Sequence, residues 1–109
     1  MSGLAERRGT EDGAGQLCTP SQAEALYGEL APGWEITEGG KALRKAFRFA
    51  DFHRTMSFVN ALAHEANRED HHPDLEVGYN YCNVRFSTHD AGGLTLKDFI
   101  GAARADRLT

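Results

Sequence analysis

The chain has 109 residues, a formal net charge of -4 from 12 basic and 16 acidic side chains, and 40% hydrophobic residues. That length fits one domain with a single modest core, and the mild acidity argues against non-specific nucleic-acid binding. No apolar run approaches the ~20 residues of a membrane span, the first residues lack the apolar centre of a signal peptide, and Cys18 and Cys82 form neither a disulfide framework nor a zinc spacing. The expectation is a cytoplasmic protein with two free thiols, no membrane contact and no direct nucleic-acid contact.

Residues 1–16 are rich in glycine and charge and have almost no large apolar side chains. They read as a disordered N-terminal tail, with the domain over residues 17–109. Order begins at Thr19-Pro20-Ser21-Gln22, where Thr19 caps a helix, Pro20 suits its first position and Gln22 completes a capping box. This helix runs to about Leu30. Trp34 to Thr37 reads as a short strand, Glu38-Gly39-Gly40 as a hairpin turn, and Lys41 to Phe49 as a second strand with Leu43, Phe47 and Phe49 in alternation and Lys45 breaking the pattern.

Asp51 then caps a long helix, in which Phe52, Met56, Val59, Leu62, Ala63 and Ala66 make an apolar stripe. It stops near Arg68, because His71-His72-Pro73 cannot continue it: proline drives the residue before it toward extended backbone. Leu75, Val77, Tyr79 and Tyr81 alternate as a third strand, and Val84, Phe86 and Thr88 as a fourth. A loop at 89–93 leads to a last helix, capped by Thr95 with Asp98 as its box partner and Leu96, Phe99, Ile100 and Ala103 as its buried stripe. The order α-β-β-α-β-β-α predicts an α+β fold, a four-stranded antiparallel sheet with three helices packed on one face. Phe58, outside the predicted stripe, and the small residues Gly101, Ala102 and Ala105 suggest a subunit interface.

Three of the 5 histidines cluster in this last part, as Asp70-His71-His72-Pro73-Asp74 and Ser87-Thr88-His89-Asp90. If the third and fourth strands pair, the corner before one and the loop after the other share one end of the sheet. His71 and His72 then face His89, with Asp98 in the first turn of the next helix within reach. Imidazoles titrate near neutral pH, so such a cluster suits proton transfer, with Asp70 or Asp90 fixing a tautomer. A lone turn histidine is ordinarily just solvated. Two before a proline, with a third across a hairpin, weigh toward chemistry. The same three histidines with a carboxylate also match a zinc or iron site, although none has the i, i+4 spacing that presets two ligands. Trp34 reads as core or as a stacking wall for a flat ligand.

These segments, with Val77-Gly78-Tyr79-Asn80, Gly93-Leu94-Thr95, Gly33-Trp34, Phe47 to Phe52 and Ala63 to Ala66, resemble pterin-4a-carbinolamine dehydratases over about Thr19 to Leu108. The resemblance implies loss of water from 4a-hydroxytetrahydropterin to give quinonoid dihydropterin, in recycling of the pterin used in aromatic amino-acid hydroxylation, with a hydroxylase as pathway partner. It implies no metal and no organic cofactor. His71, His72 and His89 match the family's catalytic histidines; Asp70, Ser87, Thr88 and Asp90 match positions beside the pterin, and Asp98 an acidic position near the site. Trp34 and the Ser87-Thr88 backbone are further candidates to hold the pterin. Two positions depart from the pattern: Asn67 stands where members often carry an acid, and Leu75 where many carry tryptophan. The resemblance also implies a homodimer or homotetramer. Some members act as coactivators, which keeps a non-catalytic pterin-binding or transcriptional role as the alternative.

Overall fold

In a computed structural model that describes residues 3–109, the sheet has strand order β1-β2-β4-β3, all antiparallel, with β1 Glu35–Thr37, β2 Ala42–Arg48, β3 Asp74–Val77 and β4 Tyr81–Phe86. Helices α1 Pro20–Tyr27, α2 Phe52–Glu69 and α3 Leu96–Arg107 complete the α+β architecture. The pairs Leu43↔Phe86 and Phe47↔Cys82 join β2 to β4, and Leu75↔Val84 joins β3 to β4. One face is apolar: Leu43, Phe47, Cys82, Val84 and Phe86 are buried together with Trp34, Phe58, Leu62, Leu94, Phe99 and Ile100. The other face is charged, and there Arg85 pairs with Glu38 at 2.6 Å and Asp74 at 2.9 Å. One apolar and one charged face is what period-two alternation in antiparallel strands produces.

Both predicted capping boxes form, at Thr19–Gln22 and at Thr95–Asp98. The first helix ends at Tyr27, short of Leu30, with Gly28 as its cap. Lys45 points inward and is satisfied there. Its ammonium lies 2.7 Å from Asp106 Oδ1, and the Trp34 indole N–H donates to Asp106 Oδ2 at 2.9 Å. Tyr81, expected in the third strand, opens β4 instead, because the chain turns at Gly78 to Asn80.

The buried stripe of α2 is Thr55, Phe58, Leu62 and Ala66. Phe52 is 49% exposed, and Ala63 also faces outward. The helix is rotated from the expected face because Thr55 is buried without cost: its hydroxyl lies 2.9 Å from both the Asp51 and the Tyr79 carbonyl oxygens. Phe58, expected as a spare surface aromatic, is therefore core. Ala102 and Ala105 of α3 are also fully buried.

What covers them is residues 3–16, part of the segment that the sequence marks as a disordered tail. Residues 3–16 run against α3, and Leu4 sits in the core fully buried, with Ala14 1% exposed. Arg104 of α3 donates to the Ala5 and Arg7 carbonyls at 3.1 and 2.9 Å. A segment poor in apolar residues is held by one leucine and by satisfied backbone groups. Residues 1 and 2 lie outside the described residues.

Candidate active site

The His71-His72 corner is built by the way α2 ends. Asp70 takes a left-handed conformation, φ 50 and ψ 40, which aspartate tolerates better than most residues. The reversal lets the His71 N–H donate back to the Ala66 carbonyl at 3.2 Å. Pro73 then feeds the chain into β3, whose first residue, Asp74, lies opposite Arg85 near the end of β4. Two residues after Arg85 comes Ser87-Thr88-His89. The corner before β3 and the loop after β4 thus lie at one end of the sheet, as the sequence predicts.

Within this end the structure assembles a buried polar chain. His71 Nε2 lies 2.7 Å from Asp98 Oδ1. Asp98 Oδ2 accepts the Thr88 hydroxyl at 2.8 Å and the Thr95 N–H at 2.9 Å. Thr88 Oγ1 is also 2.8 Å from Thr95 Oγ1. Asp98 is fully buried, whereas the His71 side chain is 13% exposed. A buried carboxylate with both oxygens engaged orients the imidazole firmly. The His71 ring is also stacked on Phe86, with centroids 6.1 Å apart and planes 18° apart. Gly101 allows this platform, since a Cβ there would stand 2.5 Å from Phe86 Cε1.

His72 is exposed, and its Nε2 lies 3.0 Å from Asn67 Oδ1. Asn67, noted in the sequence only as a departure from the family, thus holds the second imidazole. Its position one turn before the corner is the signal that points to it. His89 and Asp90 lie exposed on a single 3-10 turn, residues 89–91, closed by left-handed Gly92 and by the Thr88↔Gly93 bridge. Among the described residues the His89, Asp90 and Asp70 side chains make no hydrogen bond to protein. Ser87 is tied down, its hydroxyl donating to the Lys41 carbonyl at 2.7 Å.

Two of the residues expected against a ligand are placed elsewhere. Trp34 is 2% exposed, packed on Phe47 and Phe86, with its N–H taken by Asp106, so it has no face to offer. Asp98 is likewise enclosed and acts on the site through His71 and Thr88. Phe86 is the residue that sequence reasoning missed, because it reads there only as an inward strand position. Cys18 lies close enough that the charge of Asp98, after burial itself, pushes its thiol above the ordinary value. The described residues include no group of three or more His, Cys, Asp or Glu arranged to hold a metal.

The chain is similar to several known proteins. A chain from Stenotrophomonas maltophilia (strain K279a), provisionally named pterin-4-alpha-carbinolamine dehydratase, is 60% identical over 89 residues, covering 79% of this chain and 77% of that one. A crystal structure titled transcriptional coactivator/pterin dehydratase, from Brucella melitensis, superposes with a TM-score of 0.79 at 30% identity, over 85% of this chain and 97% of that one. A pterin dehydratase-like protein described as a RuBisCO assembly factor in the alpha-carboxysome superposes with a TM-score of 0.61 at 27% identity, over 70% of this chain and 88% of that one. The family described as Pterin 4 alpha carbinolamine dehydratase matches residues 16–108, and the chain belongs to that family.

Proposed function

We propose that this chain removes water from 4a-hydroxytetrahydropterin to give quinonoid dihydropterin, with His71, His72 and His89 as the acid–base residues. The observation that carries the reading is the Asp98–His71 contact at 2.7 Å, set at the sheet end that also carries His72 and the unengaged His89. The leaving 4a-hydroxyl needs a proton, and the neighbouring ring nitrogen must lose one. One imidazole donates and another accepts. With Asp98 on Nε2 of His71, the neutral ring keeps its proton on that nitrogen and leaves Nδ1 as the acceptor. Ser87, Thr88 and Asp90, together with Asp70, are the groups at this sheet end for the polar edge of the pterin. Positioned acid and base groups supply about 10²–10⁴ in rate, which suits loss of water from a carbon that already bears nitrogen.

A homo-oligomer, in pterin recycling beside an aromatic amino-acid hydroxylase, belongs to the same reading. Light scattering at micromolar protein tests the first part, and a clean monomer of about 12.0 kDa would refute it. The non-catalytic alternative is favoured by the two superposed structures, one described as a coactivator as well as a dehydratase and the other as an assembly factor. Stopped-flow absorbance on chemically made 4a-hydroxytetrahydropterin separates the two. Acceleration well above the spontaneous dehydration supports the enzyme. A rate equal to buffer leaves the binding role.

A further inference from the structure

The site has a second support that its chemistry does not use. Arg104 of α3 is buried, its side chain 8% exposed, and it reaches two parts of the chain at once. Its Nε and Nη2 donate to the Ala5 and Arg7 carbonyls, and its Nη1 meets Glu65 Oε1 at 3.3 Å and Glu69 Oε2 at 2.9 Å. Glu69 is the last residue of α2, two before His71. Its other oxygen, Oε1, accepts the Gly9 N–H at 3.1 Å. Burial pushes the Glu69 carboxyl upward, but the Gly9 N–H and the Arg104 charge outweigh it, so the group is held below its ordinary value. One cleft is lined by Gly9, Glu69 and Arg104 together with His71, Phe86 and Gly101. Residues 5–9 lie outside the stretch matched by the family.

We propose that Arg104 is a positioning residue for the His71–His72 corner: by tying residues 5–9 to Glu65 and Glu69, it fixes where α2 ends and so where the two imidazoles stand. Among the described residues it makes no hydrogen bond to either imidazole. The kinetic part of the proposal rests on the dehydratase reading above, while the geometric part does not. A helix end free to fray by one turn would move the corner, and misplacement of a catalytic group by about 1 Å can cost about 10²-fold in rate.

The test compares Arg104→Gln and Glu69→Gln with the wild-type full chain. Arg104→Gln removes a buried cation facing two carboxylates and can fail to fold, so Glu69→Gln is the informative variant. Glu69 Oε1 accepts the Gly9 N–H, and Oε2 forms the ion pair with Arg104. An amide has only one acceptor oxygen, so Glu69→Gln must release either Gly9 or Arg104. We expect amide exchange at His71 to quicken about tenfold or more while the sheet amides stay protected. With pterin substrate, kcat should fall about 5- to 50-fold with KM within about twofold. Unchanged His71 exchange and kcat in Glu69→Gln, beside a lowered melting temperature, would make the clamp purely structural and overturn the proposal. If the wild type shows no turnover, the dehydratase reading fails by itself and exchange at His71 alone decides: faster exchange supports the positioning role, and unchanged exchange refutes it.

Discussion

His71 and Asp98 stand 27 residues apart in the chain and 2.7 Å apart in the structure, and the other oxygen of that carboxylate accepts the Thr88 hydroxyl and the Thr95 N–H. Asp98 is the N3 residue of α3, so the group that caps the helix is also the group that orients the imidazole. Both tasks need an acceptor oxygen. As the capping partner it accepts the Thr95 N–H, and as the orienting group it fixes which nitrogen of His71 carries the proton.

Asp98→Asn separates the two tasks. The Thr95 N–H and the Thr88 hydroxyl both donate to Oδ2, so the asparagine oxygen must take that place and its NH2 must face His71. His71 Nε2 is then forced to accept, and the neutral ring switches to the Nδ1–H tautomer. We expect the fold to survive with a loss of about 1–2 kcal/mol, and kcat to fall about 10- to 1000-fold. Imidazole nitrogen shifts in NMR spectra report the tautomer directly. A variant with wild-type kcat would exclude Asp98 from the mechanism.

The two histidines of the doublet should respond differently to alanine. His72 is exposed and among the described residues hydrogen-bonds only Asn67, so His72→Ala should keep its melting temperature within a few degrees while kcat drops about tens to thousands of fold. His71→Ala removes a ring from Phe86 and leaves Asp98 Oδ1 buried without its partner. That orphaned oxygen costs about 1–3 kcal/mol, so this variant should lose stability as well as activity. Equal melting temperatures for the two variants would contradict the burial difference.

Much of this site is legible in the chain because its signals are local. Pro73 after two histidines stops a helix, alternation at Leu75 to Val77 and at Val84 to Phe86 makes two strands, and their pairing brings Thr88-His89 to the corner. Thr95 and Asp98 announce a capped helix by spacing alone. The features that were not legible depend on long-range satisfaction of polar groups. Thr55 counts as polar in a periodicity argument, yet two carbonyl oxygens let it lead the buried stripe of α2. Nothing local in the sequence marks Arg104, because its partners come from residues 5, 7, 65 and 69. Trp34 reads as core, with a stacking wall as the alternative, until Asp106 is seen to take its N–H.

Leu4 carries the next prediction. It is fully buried in the main core although it lies in a segment of glycine and charge. Leu4→Ala should cost about 2–4 kcal/mol through lost transfer energy and the cavity left behind. For a chain of this size that lowers Tm by roughly 8–30 °C. Removal of residues 3–15 should cost at least as much, since it also strips Arg104 of two carbonyl acceptors. A Tm unchanged in either variant would show that the segment does not pack on α3 in solution.

Alkaline stability provides the last test, through Cys82. This thiol is fully buried on the inner face of β4, and burial pushes it from 9.0 up to about 11. In the unfolded chain it ionises near its ordinary value, whereas in the folded protein it keeps its proton to higher pH. From 9.0 up to about 11 the folded state therefore binds more protons than the unfolded state. Stability contributed by the neutral thiol is fully present below that window and is lost as pH rises through it, with a slope of at most about 1.4 kcal/mol per pH unit. Cys82→Ala removes the group and should make the urea midpoint fall less steeply than wild type between about pH 8 and about pH 10. Other alkaline-titrating groups are common to both proteins and cancel in the difference. Parallel curves would mean that the Cys82 thiol ionises in the folded state as readily as in water, which is incompatible with its full burial on the inner face of β4.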